Sequence, residues 1–96
     1  MGREDRVRQV TELLQQTDSA HHSFELKVLN GDQDIHWPEW YAEYLIGHGL
    51  DMLMEDRLAT ELLVSFLRQT KSDHRACSSK LSWEEFAAKR IVEKLV

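Results

Sequence analysis

Residues 36–50, HWPEWYAEYLIGHGL, carry two of the chain's three tryptophans and both of its tyrosines. Trp37 followed by Pro38 reads as a helix start, because proline fixes φ at a helical value and its missing N–H costs nothing in the first turn. Trp37 is then expected at the cap position. Trp37, Trp40, Tyr41, Tyr44, Leu45 and His48 follow at steps of three, one, three, one and three, which lays them along one helical face. Gly47 and Gly49 mark the stop. Four aromatic rings in one stripe bury enough area to anchor a core of this size, so the other elements are expected to pack around this helix. Its opposite face is Glu39, Glu43 and Ile46.

The chain has 96 residues, enough for one hydrophobic core, and residues 1–96 are expected to form a single domain. A hydrophobic fraction of 42% with 8% aromatics is too high for a disordered chain. One proline and four glycines leave little material for the tight turns of an all-β domain. The longest apolar runs are three residues, as in Met52-Leu53-Met54, far from the roughly 18 that a membrane span needs. The opening MGREDRVRQV is charged from its third residue, so neither a secretory nor a transit signal is expected there, and the position expected to hold serine or threonine for myristoylation is Arg6. The single cysteine, Cys77, excludes an intramolecular disulfide and suits a reducing cytoplasm. A net charge of −5 and a pI near 5.5 argue against nucleic-acid partners, whose phosphates demand basic surface.

Before the aromatic stretch, Val7, Val10, Leu14, Thr17, His21, Phe24 and Val28 alternate steps of three and four, the seam of a helix packed on another helix. Asn30-Gly31 is a stop signal. A continuous helix over residues 3–29 would be about 40 Å long, against roughly 32 Å for a sphere-like domain of this length. Such a helix overhangs, and an overhanging apolar seam calls for a partner. A break at Thr17-Asp18-Ser19, with Asp18 or Ser19 as a new cap, is the alternative. Asp32, Gln33 and Asp34 form a polar connection. After the aromatic helix, residues 50–55 are expected to make a short turn capped by Asp51, and residues 56–70 a helix. That helix presents Leu58, Ala59, Leu62, Leu63, Phe66 and Leu67 inward and Arg57, Glu61 and Arg68 outward. Residues 71–81, KSDHRACSSKL, read as a loop. Ser82-Trp83-Glu84-Glu85 is a capping box, and the helix it opens carries Trp83, Phe86, Ala87, Ile91 and Leu95 inward. The sum is an all-α compact bundle of four to five helices with short connections.

Charge is uneven along the chain. Between Gly31 and Asp56 there are seven acidic residues and no lysine or arginine, whereas from Arg57 onward eight basic residues face five acidic ones. The acidic segment is expected either to be solvated, or to dock on the basic C-terminal third, where Arg90 and Lys94 are placed to reach it, or on a basic partner.

Histidines are the first candidates for chemistry. His22 and Glu25 share a helical face at a spacing of three, as do His21 and Glu25 at four. His21 or His22 can act as general acid or base with Glu25 orienting the ring. A metal site would draw on His21, His22, Glu25 and His36, since imidazole and carboxylate suit zinc or iron. The order His-x-x-Glu reverses the di-metal bundle signature. No motif implies a cofactor. Trp37, Trp40, Tyr41, Tyr44 and His48 are the candidate ligand-binding residues, the four aromatics being able to draw a cage for a quaternary ammonium. The competing reading of each is structural, with His21 a seam residue, His22, His36 and His48 surface or cap residues, and the aromatics core. Asp18-Ser19 lacks the leucine that follows the serine of phosphopantetheine carriers, the lysine and glycine of histidine phosphotransfer domains are missing, and Cys77 has no nucleophile pattern around it.

The residues His21-His22, Phe24-Glu25, Leu29-Asn30-Gly31, Asp34, Trp37-Pro38, Trp40-Tyr41-Ala42, Tyr44-Leu45 and His48-Gly49-Leu50 resemble the pattern of short bacterial proteins, often cyanobacterial. The resemblance covers residues 17–50, with a looser likeness around Trp83, and implies no activity and no catalytic residue. Two functions are carried forward. One is a small cytoplasmic protein-interaction module or homodimeric subunit, associating through the first helix, with a protein partner or itself. The other is a small-ligand or metal-binding protein, conceivably an enzyme, with a His/Glu cluster beside the aromatic helix.

Overall fold

The computed structural model describes residues 2–30, 35–77 and 80–95. Among them are five α-helices and no strand: α1 (Arg3–Lys27), α2 (Trp37–Gly47), α3 (Leu50–Met54), α4 (Thr60–Cys77) and α5 (Trp83–Arg90). The last runs on into a π-helical turn, Ile91–Leu95. The expected all-α bundle is the fold. No described helix is long and apolar enough to cross a membrane.

Helix α1 is continuous through Thr17-Asp18-Ser19. Thr17 stays helical because its hydroxyl, fully buried, donates back to the Leu13 carbonyl at 2.7 Å and leaves no polar group unpaired. Val10, Leu14, Thr17 and His21 are buried, with Val7 and Phe24 partly so, as the seam requires. Val28 departs from it, at 61% exposed. The seam is covered by α5, α2 and α3 of the same chain. The expected overhang is small for a geometric reason: the domain is not a sphere but measures 41 × 30 × 21 Å. A helix of 25 residues, about 37 Å long, fits its long axis. In its last turn Leu26 is 56% exposed. Asn30 takes the expected left-handed conformation, φ 54°. Gly31 and the connection through Asp32, Gln33 and Asp34 lie outside the described residues.

Helix α2 begins one residue earlier than its proline suggested. His36, not Trp37, is the N-cap, since its carbonyl accepts the first helical bond from Trp40 N–H at 3.3 Å. At the other end Gly49, φ +102°, turns the chain and becomes the cap of α3 in place of Asp51, its carbonyl receiving Leu53 N–H at 3.1 Å. Glu55, also left-handed at φ 57°, ends α3.

The largest corrections concern α4. It starts at Thr60 rather than near residue 56, because the left-handed Glu55 and the Asp56 carboxylate capping Arg57 N–H (2.8 Å) hold the intervening chain out of helix. It then runs through the passage read as a loop. Serine and charge were poor stop signals there, since no glycine or proline follows Thr70 before the helix ends. Gln69 also donates to Asp73 one turn on at 2.9 Å. With this phase Leu63, Leu67 and Thr70 are buried and Leu62 is turned out, 68% exposed. Helix α5 opens as its capping box demands, with Ser82 Oγ accepting Glu85 N–H at 3.2 Å. Trp83, Ala87 and Ile91 face inward. The Leu95 side chain lies outside the described residues.

The two glycines flanking His48 have opposite roles. A Cβ meets nothing within 4 Å at either one, but only Gly49 needs a positive φ. Gly49→Ala is therefore expected to lower stability by about 1–2 kcal/mol, and Gly47→Ala, inside the helix, to raise it by up to about 1 kcal/mol. Paired thermal melts check the opposite signs.

Candidate functional site

Helices α1, α2, α4 and α5 surround an open cleft of about 460 Å³. Helix α1 contributes His21 and Glu25, α2 contributes Trp37 and Tyr41, α4 contributes Arg68, Lys71, Ser72 and Arg75, and α5 contributes Trp83. The helical period explains each set. Residues 21 and 25, 37 and 41, and 68, 71, 72 and 75 are spaced at three or four, so each helix turns one stripe to the same space. Because α4 continues past Thr70, Arg68, Lys71 and Arg75 form a basic wall.

One side of the cleft is aromatic. Trp37 packs edge-on against Trp83, centroids 5.9 Å apart and planes at 88°, and against Tyr41 at 5.2 Å and 86°. Edge-to-face contacts of this kind are favoured by the ring quadrupoles. Lys71 reaches across, its Nζ 4.4 Å from the Trp83 centroid and 5.8 Å from that of Trp37.

Behind the rings lies a network of acids. The Tyr41 hydroxyl donates to Asp18 Oδ1, and the Asp18 carboxyl is also hydrogen bonded to the side chain of Glu84. A bond between two carboxyls exists only while one of them holds a proton. Burial, in the first place, and then Glu84 raise Asp18 from 3.8 to about 6, against the lowering effects of the Tyr41 bond and of the Lys71 charge. Burial, followed by the bond to Asp18, pushes the Tyr41 phenol up, so it remains a donor at neutral pH. Lys71 is shifted down, chiefly by desolvation and further by Arg75, although Asp18 and Glu84 pull the other way.

The candidate residues separate into groups. His21 is 7% exposed, with Nδ1 3.8 Å from Glu25 Oε1, and its ring packs on Trp40 at 4.9 Å and Tyr41 at 5.1 Å. His21, Glu25, Trp37 and Tyr41 meet in the cleft. Trp40, Tyr44 and His48 instead form a continuous stack along α2, with Trp40 and Tyr44 5.3 Å apart at 13° and Tyr44 and His48 3.9 Å apart at 15°. His48 Nδ1 also donates to the Tyr44 carbonyl at 2.8 Å. His22 and His36 are exposed. No group of three or more histidine, cysteine, aspartate or glutamate side chains is arranged to hold a metal ion among the described residues. Cys77 is exposed and Sγ lies 3.8 Å from the His74 carbonyl.

Asp18, Lys71, Arg75 and Glu84 were not singled out by sequence reasoning. Reading residues 71–81 as a helix would have placed Lys71 and Arg75 in register with Arg68. Nothing in the sequence pairs Asp18 with Glu84. Among the described residues Arg90 pairs with Asp73 of α4, at 2.7 Å, and with no carboxylate of the acidic segment. That bond, with Gln69 as the larger cause, lowers Asp73. Arg68 does reach the acidic segment, lying 3.7 Å from Glu39. This exposed pair contributes about 0–1 kcal/mol.

Because the folded Asp18 titrates above its unfolded value, its contribution to stability is fully present below about pH 4 and is lost as pH rises through about 6. Asp18→Asn keeps an acceptor for Tyr41 and gives Glu84 a permanent donor. It should melt a few degrees above wild type at about pH 7.5, and the advantage should shrink by about pH 5. A pH-independent difference in melting temperature would contradict the shared-proton arrangement.

Comparison of the chain with protein-family models, with curated proteins and with solved structures gives no match.

Proposed function

We propose that this protein binds a small anionic ligand with a flat apolar body, taken between the aromatic wall and the basic face of α4. The observation that carries this reading is the placement of Arg68, Lys71 and Arg75 on one helix face opposite Trp37 and Trp83 across a space of about 460 Å³. Small-molecule sites are typically concave, with placed polar groups beside apolar surface; this cleft has their size and a more polar lining, as a charged ligand requires. Guanidinium groups favour carboxylate and phosphate because their fork matches two oxygens at once. Indole faces supply the apolar contact. His21, held by Trp40 and Tyr41, adds a ring nitrogen facing Glu25.

Phenyl phosphate is a suitable probe, with a ring for the indoles and a dianion for the arginines. At one hundred times its Kd it should stabilise the protein by about 2.7 kcal/mol, a rise in Tm on the order of 10 °C. Replacing both Arg68 and Arg75 with alanine should weaken binding roughly ten-fold or more, as loss of charge-assisted hydrogen bonds does. No shift for the wild type, or an equal shift for the double variant, would contradict the assignment.

A second reading, a protein-interaction module, is favoured by a different observation. Leu26, Val28 and Ile35 stand exposed at the end of α1 and the approach to α2. Sedimentation separates the readings: a mass that rises with concentration in wild type and not in Val28→Glu would support self-association there.

A further inference from the structure

We propose that Lys71 is an amine nucleophile that condenses with the carbonyl group of a small anionic aldehyde or 2-oxo acid held in the cleft, a reading that rests on the cleft's binding of anions. Three observations carry it. The first is access and desolvation. Lys27, Lys80, Lys89 and Lys94 are exposed, whereas Lys71 is half-buried with its Nζ lodged 4.4 Å from the centre of Trp83. An amine attacks only as the free base, and withdrawal from water favours that form; the downward shift of Lys71 follows chiefly from burial.

The second is a handle for the substrate. Arg68 and Arg75 lie three residues before and four after Lys71, so each guanidinium arises about one helical turn, roughly 5.4 Å, from it. A carboxylate or phosphate seated on either arginine leaves a carbonyl a few bonds away within reach of Nζ. Indole surfaces on the opposite side restrict the body of the substrate.

The third is a route for protons: the cleft is open, so solvent water reaches the reacting atoms. In the reaction the Nζ lone pair forms a bond to the carbonyl carbon, and the carbonyl π electrons move to oxygen, which takes up a proton. A second proton turns the resulting hydroxyl into departing water while nitrogen releases its own protons. The net change is amine plus carbonyl compound to imine plus one water, with no oxidation or reduction. Water in the open cleft supplies the protons to the leaving oxygen and takes up those that nitrogen gives up.

Trapping tests this directly on the full chain. The protein is incubated with limiting pyridoxal 5′-phosphate, an aldehyde bearing a phosphate, any imine is fixed with borohydride, and the labelled lysines are located by mass spectrometry. Phenyl phosphate melts are run in parallel. Positioning in the cleft should favour Lys71 over each exposed lysine by roughly ten-fold or more, with the label at Lys71 reduced by Arg75→Ala and by added phenyl phosphate. Labelling of Lys71 at or below Lys27, Lys80, Lys89 and Lys94, with phenyl phosphate still raising the melting temperature, would overturn the amine and leave the anion cleft standing. The same labelling with no effect of phenyl phosphate would overturn both.

Discussion

Packing of Trp37 edge-on against Trp83 closes the aromatic side of the cleft. It joins α2 to α5, two helices separated in the chain by the whole of α3 and α4, and Lys71 of α4 covers both rings. Burial of such rings supplies most of the stabilisation, with an added 0.5–1.5 kcal/mol or so from their relative orientation. Once α2 and α5 are joined this way, the polar groups of α1 that face them have no access to bulk water on that side. Tyr41 donates to Asp18 there, and burial, with Glu84 beside it, raises the Asp18 carboxyl. The aromatic contact and the acid network are thus two consequences of a single geometry.

Much of the fold could be read from local pattern, because local pattern is what fixes helices. The Trp37-Pro38 start, the three-four spacing of α1 and the Ser82 to Glu85 capping box each rest on interactions within four residues; the last two appear as read, and α2 starts one residue earlier, with His36 as its cap. Errors arose where the chain lacked a decisive stop. Residues 71–75 are polar throughout, so their helical spacing left no apolar stripe to see. What keeps them helical is tertiary: Asp73 bonds Arg90, and His74 Nε2 donates to the Leu81 carbonyl at 2.9 Å and packs on Phe86 at 5.0 Å. The extent of α1 was legible, whereas the exposure of its seam depends on how the other helices lie against it.

The same distinction explains the site. His21, Glu25, Trp37 and Tyr41 were visible as candidates because each pair shares a helical face. Their meeting with Lys71, Arg75 and Trp83 joins four helices and has no signature in the order of residues. The acidic middle and basic end of the chain meet partly within the molecule, through Arg68 and Glu39. Three basic side chains nevertheless line one cleft, and the proposed anion site rests on that placement.

The three tryptophans allow this account to be tested in one spectrum. Trp37 and Trp83 border the cleft, whereas Trp40 packs on Phe24, His21 and Tyr44. In a proton–nitrogen correlation titration with phenyl phosphate, the indole N–H signals of Trp37 and Trp83 should move together along one saturable curve while that of Trp40 stays nearly still. A titration in which Trp40 moves as far as the other two, or in which none of them moves, would contradict the account.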